Sequence, residues 1–168
     1  YIVTNEGGAN VDTYHVVVNG QNNYTGSVDK TFTIGQLSLS TATITLATLS
    51  SYVYDGAAKT PAVQLVKVGE LVVPATSYDV AYASNTNAGT ATVTVTAKAS
   101  TNFKDGNSTT FNIERKDVTS DMIYLSSENL EYTGSLQAPT VTVKDGTAKT
   151  LVLNTDYTVA YSNNTNAA

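Results

Sequence analysis

The sequence predicts an all-β protein assembled from tandem antiparallel β-sandwich repeats of about 79 residues. Three observations carry this. Apolar and hydroxyl residues alternate with a period of two, as in Ala91, Val93, Val95 and Ala97 against Thr92, Thr94 and Thr96. That is the signature of a strand with one dry and one wet face. The alternating stretches are short and are separated by Gly, Asn and Asp, residues that reach the left-handed backbone of turns at little cost. Finally, the same residues return at a fixed distance. Phe111 lies 79 residues after Phe32, Ile123 lies 79 after Ile44, and Tyr157 lies 79 after Tyr78. Tyr132 and Pro139 lie 78 after Tyr54 and Pro61, a one-residue slip that belongs in a loop. So long a period describes whole domains strung together rather than a solenoid of roughly 20–50-residue units.

Taken in order, residues 1–35 read as the second half of a repeat. Tyr14, Val16 and Val18 stand one period before Val93, Val95 and Ala97. A turn at Gln21-Asn22-Asn23-Tyr24-Thr25-Gly26 leads to Lys30-Thr31-Phe32-Thr33-Ile34, which closes the unit. Residues 36–114 read as a complete repeat, entered through a short link at 35–40. Thr43-Ile44-Thr45-Leu46 alternates and opens it, and Tyr52-Val53-Tyr54-Asp55-Gly56 leads into a turn. Pro61, tolerated at the first position of a strand, precedes an apolar run over 62–68. Gly69-Glu70 is the hairpin turn into Leu71-Val72-Val73. Tyr78, Val80 and Tyr82 alternate before an Asn-rich loop at 84–89, and the 91–97 strand follows. A turn at 102–106 and the strand Thr110-Phe111-Asn112-Ile113 complete the unit. That makes about seven strands and no helical window, the pattern of a small immunoglobulin-type sandwich. The expected inward set is Ile44, Leu46, Val63, Leu65, Val80, Tyr82, Val93, Val95, Phe111 and Ile113. Residues 115–168 read as the first half of a further repeat, linked through 115–120. At an offset of 79, Tyr1 stands in the place of Val80 and Ala168 in that of Gly89. Each end is therefore expected to expose unpaired strand edges and an open apolar face. A chain that opens on Tyr1 reads as a mature or excised piece.

Composition narrows the function classes. Hydrophobic residues make up 41% and charged residues 14% of the chain, and the net charge is -5. A chain this acidic, with no clustered Lys and Arg, is not expected to bind nucleic acid. No apolar run approaches the roughly 20 residues of a membrane helix, so membrane insertion is not expected. Cysteine is absent, which excludes a disulfide scaffold and a Cys-based zinc site. The aromatic content is mostly Tyr, 11 against 3 Phe and no Trp. Tyr suits a thin sandwich because its ring packs inside while its hydroxyl reaches the rim.

The pattern Tyr132-Thr133-Gly134, Pro139, Val141 and Val143, Asp145-Gly146, Asp156-Tyr157-Thr158-Val159 and Tyr161-Ser162-Asn163-Asn164-Thr165-Asn166 resembles the immunoglobulin-like tandem repeats of large bacterial cell-surface and cell-wall proteins. Asn23-Tyr24-Thr25-Gly26 and Thr31-Phe32-Thr33-Ile34 supply the closing part of that pattern. The resemblance covers nearly the whole chain. The middle repeat departs from it at Asp55, in place of Thr, and at Lys104-Asp105, in place of Thr-Gly. The resemblance implies a stalk that holds an adhesive or enzymatic tip away from the cell envelope, and it implies no family-wide catalytic or binding residues.

No set of residues assembles an active site. His15, the only histidine, aligns with Thr94 on an outward face and is expected at the surface. The Asn-rich loops Asn85-Thr86-Asn87 and Asn163-Asn164-Thr165-Asn166 have amides that could meet sugar hydroxyls, but the favoured reading is that they cap turns. Asp12, Asp29, Asp55, Asp105 and Asp145 are scattered over turns without the close spacing of a calcium loop. Asp117 and Asp121 lie at a domain junction, where a shared calcium stays open as an alternative. Asn23-Tyr24-Thr25, Asn107-Ser108-Thr109 and Asn163-Asn164-Thr165 match the N-glycosylation pattern, as chance allows in so Asn- and Thr-rich a chain. A Lys-to-Asn isopeptide crosslink needs a buried Lys, an Asn and an acid together, and no Lys falls in an inward alternation. No catalytic, cofactor-binding or metal-binding residue is therefore assigned.

The expectation for function is a non-enzymatic, extracellular stalk or spacer of a bacterial surface protein, partnered by neighbouring repeats of the same chain. The alternatives are a binding module for a glycan or a host surface protein, and a head-to-tail fibre subunit assembled by strand complementation.

Overall fold

A computed structural model describes residues 2–5 (main chain only), 7–147 and 149–162. The readings for Tyr1, for Ala168 and for the 163–166 loop with its glycosylation match lie outside the described residues. The chain is all-β and forms two units, Tyr1–Lys116 and Asp117–Ala168.

The first unit contains eleven strands. They are β1 (Ile2–Asn5), β2 (Asp12–Asn19), β3 (Ser27–Ile34), β4 (Leu37–Ser38), β5 (Thr43–Leu46), β6 (Val63–Val68), β7 (Leu71–Val72), β8 (Tyr78–Ala83), β9 (Gly89–Ala97), β10 (Phe103–Lys104) and β11 (Gly106–Ile113). A single 3-10 turn at Ala75–Ser77 precedes β8. Three antiparallel sheets result, in the orders β1-β2-β3, β5-β6-β7 and β11-β9-β8, and β4 pairs with β10 in parallel.

The last two antiparallel sheets share one core. Val66 and Val73 of one side meet Tyr78 and Val95 of the other, with Leu39, Ala42 and Phe103 closing the ends. The alternation read from the sequence sets the register of β9. Ala91, Val93 and Val95 are fully buried, whereas the threonines between them face away from the core. Ile113 is buried beside them on β11. Ile44 and Val63 pack against the same cluster.

Two residues of the expected inward set are placed differently. The pairing of β5 with β6 shifts between Thr45 and Leu46, so Thr45 faces Leu65 and Leu46 faces Val63. One extra residue in β6 at this bulge breaks the alternation. Val63 and Val66 both point inward, and Leu65 falls outside the core cluster. Val80 shares the inward face with Val95, its partner on β9, yet remains 38% exposed. It lies on an edge strand. β5 packs against β11, so the side of the opposing sheet nearest β8 ends in the two-residue β7, which is too short to cover it.

The link at 35–40 is part of the fold and not a free connection. The Leu37 and Leu39 amides donate to the Asn102 and Lys104 carbonyls at 3.0 and 2.8 Å. The Gln36 amide donates to the Thr101 and Phe103 carbonyls, each at 2.9 Å. The Leu39 side chain is wholly buried. The segment 52–54, read from the sequence as a strand approach, makes a single parallel bridge from Val53 to Glu114 instead. The Lys104-Asp105 departure preserves its turn. Asp105 has φ +61° where Gly26, one period earlier, has φ +98°, and Asp is among the few side chains that tolerate this region. Gly106 is needed next to it, because a Cβ there would stand 2.4 Å from the Val95 carbonyl oxygen.

The second unit holds β12 (Ile123–Leu125), β13 (Val141–Asp145) and β14 (Lys149–Thr150) in one antiparallel sheet, after a 3-10 turn at Ser120–Met122. Met122 and Val143 are its buried residues.

The burial pattern predicts that Val95→Ala destabilises the first unit by roughly 2 kcal/mol, the cost of lost apolar burial plus a partly collapsed cavity. Val80→Ala is expected to cost less than about 1 kcal/mol, since much of its side chain already meets water. Urea unfolding of the two variants checks the ordering, and equal losses would contradict the placement of Val80.

Candidate functional site

The described residues offer three polar constellations and one kind of apolar surface on which function could rest. The first constellation is His15 on β2. Its side chain is 59% exposed, and Nδ1 lies 2.8 Å from Asp29 Oδ2 on β3. The register puts His15 opposite Thr31, so Asp29 is its diagonal neighbour on the outward face. The sequence reading held His15 to be at the surface without a carboxylate nearby. The surface position agrees, and the carboxylate is an addition that only the strand register brings into reach. Among the described residues no hydroxyl hydrogen-bonds to the other ring nitrogen, so the pair activates no nucleophile.

The second constellation corrects an expectation. Lys59 is buried. It lies not in an alternating strand but in the loop before Pro61, where period-two reasoning does not apply. Its Nζ sits 2.7 Å from Asp55 Oδ2. Its amide donates to the Asn85 carbonyl at 2.7 Å, and the Asn85 side-chain amide donates to the Lys59 carbonyl at 2.9 Å. A Lys, an Asn and an acid are thus neighbours after all. The groups are nonetheless oriented for holding and not for crosslinking, because the ammonium is engaged by the carboxylate and the amide by the main chain. The Lys59 ammonium, together with the Ala57 amide, holds the Asp55 carboxyl below its ordinary range. Asn85 therefore caps backbone, as the sequence reading favoured, but the backbone of a different segment and not of its own turn.

The third feature is a pair of tyrosine hydroxyls. Tyr82 donates to the Pro61 carbonyl at 2.7 Å, and Tyr161 donates to the Pro139 carbonyl at 2.6 Å. Each ties a late strand or segment of its unit to the start of an earlier one. The Thr133 and Gln137 side chains, 78 residues after Asp55 and Lys59, are also hydrogen-bonded to each other.

Asp117 and Asp121 gather no further ligands. Among the described residues, no three His, Asp or Glu side chains come together to hold a metal ion, and no helix is long and apolar enough to cross a membrane.

The apolar surface is the uncovered face of β1-β2-β3. Val18, Val28 and Phe32 are 40%, 58% and 40% exposed on it, and Tyr14 stacks on Phe32 at 5.5 Å between centroids. The sheet of the second unit shows Ile123 and Leu125 in the same condition. Comparison with protein-family models, with curated proteins and with solved structures gives no match.

Two predictions follow from the polar groups. His15→Ala should shift stability by less than roughly 0.5 kcal/mol, as an exposed pair allows, which chemical denaturation at neutral pH measures. For Asp55, the folded-state pKa is lowered, so its contribution is fully present above the unfolded value of about 3.9 and is lost as pH falls through the lower folded value. Thermal melts of the wild type and D55N should therefore differ by a constant amount above about pH 5 and converge below about pH 4. A gap that widens on acidification would contradict the ion pair.

Proposed function

We propose that the chain is a non-enzymatic stalk or spacer of a bacterial cell-surface protein, an extracellular array of tandem immunoglobulin-like repeats. The observation that carries this reading is a hydrogen bond that recurs at the sequence period. The Tyr82–Pro61 and Tyr161–Pro139 bonds join residues 79 and 78 apart in the chain. The neighbouring Asp55–Lys59 pair gives way to Thr133–Gln137 at the same offset of 78. Both partners changed while the interaction persisted, which is what duplicated units under a common structural constraint would retain.

The junction supports a spacer. The Asn102 side chain accepts from the Val11 amide and donates to the Asn10 side chain, both at 2.9 Å. With Leu39 buried in the next core, the half-repeat and the complete repeat are joined by several bonds and not by a loose tether. A stiff joint transmits length, as a stalk requires. The alternative, a binding module for a glycan or host protein, gains less support. A sugar-stacking row needs exposed aromatic rings on one sheet face. Among the described residues Tyr124 is the one exposed tyrosine on a strand, and Lys144 lies 5.2 Å from its ring centroid.

Pulling single molecules of the chain from both ends tests the reading. The complete repeat should unfold as one event that releases roughly 260–280 Å, about 79 residues at 3.3–3.6 Å each. A glycan array probed with the same protein should stay blank. Gradual extension without a discrete event would remove the stalk, and a saturable glycan signal would favour the binding module.

A further inference from the structure

The complete repeat contains its own template for what covers a bare sheet. Its β5-β6-β7 sheet lies on its β11-β9-β8 sheet, and Val93 and Val95 are fully buried beneath it. The β1-β2-β3 sheet has the same antiparallel order as β8-β9-β11. Tyr14, Val16 and Phe32 stand one period before Val93, Val95 and Phe111, and β2 pairs Tyr14 with Phe32 as β9 pairs Val93 with Thr109 and Ala91 with Phe111. Yet no second sheet lies over this face, and its apolar side chains are exposed. The β12-β13-β14 sheet, in turn, has the order of β5-β6-β7. Ile123 and Leu125, each 43% exposed, stand one period after Ile44 and Leu46, which are half-buried.

We propose that the β1-β2-β3 face is a docking surface for the β12-β13-β14 sheet of a second copy of this chain, forming a composite sandwich between molecules. This rests on the repeat reading, because that reading identifies the two bare faces as the two halves of one domain. Two sheets packed face to face put their inner side chains about 10 Å apart, the arrangement that the complete repeat already realises within one chain. The acceptor face departs from the template mainly at Lys30, opposite Val16. Lys30 lies on the edge strand β3, from which its aliphatic stem can cover apolar surface while the ammonium stays in water. The contact is heterologous, since the acceptor and donor surfaces differ, so copies add head to tail and do not stop at a two-fold dimer.

The contact between Asn107 and Ala42 supplies the probe. The Asn107 side chain reaches the Ala42 carbonyl at 2.8 Å across the complete repeat. The residues one period away are Val28 on the acceptor and Asp121 on the donor. The chain has no cysteine of its own, so V28C and D121C can be made in separate chains, mixed, and treated with a short bismaleimide. We expect a crosslinked dimer of twice 17.7 kDa in the mixture and none with either chain alone. Sedimentation of the unmodified protein should show masses rising with concentration, and Val18→Asp should abolish both results. An outward-facing control, Thr31→Lys, should change neither. A chain carrying both N107C and A42C should crosslink within itself. If it does so while the V28C and D121C mixture yields no dimer and the protein sediments at 17.7 kDa throughout, the docking proposal is overturned and the repeat reading is untouched. Crosslinking confined to a V28C/D121C double variant at monomer mass, with no dimer in the mixture, also overturns it.

Discussion

A three-stranded sheet has an apolar face to hide and no means of hiding it alone. That constraint governs the molecule. Where two sheets meet, as in residues 36–114, valines on β9 lose all contact with water, and small residues such as Ala42 and Ala91 fill the gaps between larger ones. Where a sheet has no partner, the same positions in the sequence carry side chains of equal or greater apolar size that stay half in solvent. The difference lies in what covers the residues and not in the residues themselves. Each fully covered aliphatic side chain contributes about 1.5–3 kcal/mol. A domain of this size has a net stability of only some 5–15 kcal/mol, so a handful of such positions decides whether a unit stands by itself.

Around that core the polar groups act mostly as clips. The Tyr82 hydroxyl, the Asn85 amide and the Asn107 amide each close a main-chain carbonyl that would otherwise be stranded near the core. Lys59 is the costlier case, since a buried ammonium needs a partner and finds it in Asp55. In the second unit, Thr133 and Gln137 fill the same role without charge. The exchange is instructive, because an ion pair and a neutral hydrogen bond solve one geometric problem at different electrostatic cost.

Much of the fold was legible in the sequence where its period of two ran unbroken. The inward face of β9, the β6–β7 hairpin with Gly69 at φ +58° and the absence of long helix all follow from local chemistry. The misplacements have local causes as well. Leu65 was read through a bulge that the sequence does not announce, since any residue can be the extra one. Val80 was read by its own strand's alternation, which says nothing about whether the facing sheet is long enough to reach it. Leu39 sat in a segment rich in Ser and Gly that reads as a link, and Lys59 in a loop where alternation has no meaning. The His15–Asp29 pair spans 14 residues and two strands, so it emerges only once the register is fixed. The absence of an assembled acid–base set needed no register, because it follows from residue inventory alone.

The parallel pair β4–β10 has a mechanical meaning. Tension along the chain enters through Gly35 and leaves after Ile113. β10 runs on into β11 in the same direction, so the pull drags β4 toward one end and the β10–β11 strand toward the other. Hydrogen bonds between parallel strands loaded in opposite directions lie across the force and share it, so they yield together and not one at a time. The Val53–Glu114 bridge, parallel too and close to the exit, lies in the same geometry. Because Leu39 is anchored in the core directly behind β4, slippage of that strand must also draw an aliphatic side chain into water. The joint between units is thus the latch of the domain, and its resistance is set by loading direction more than by equilibrium stability.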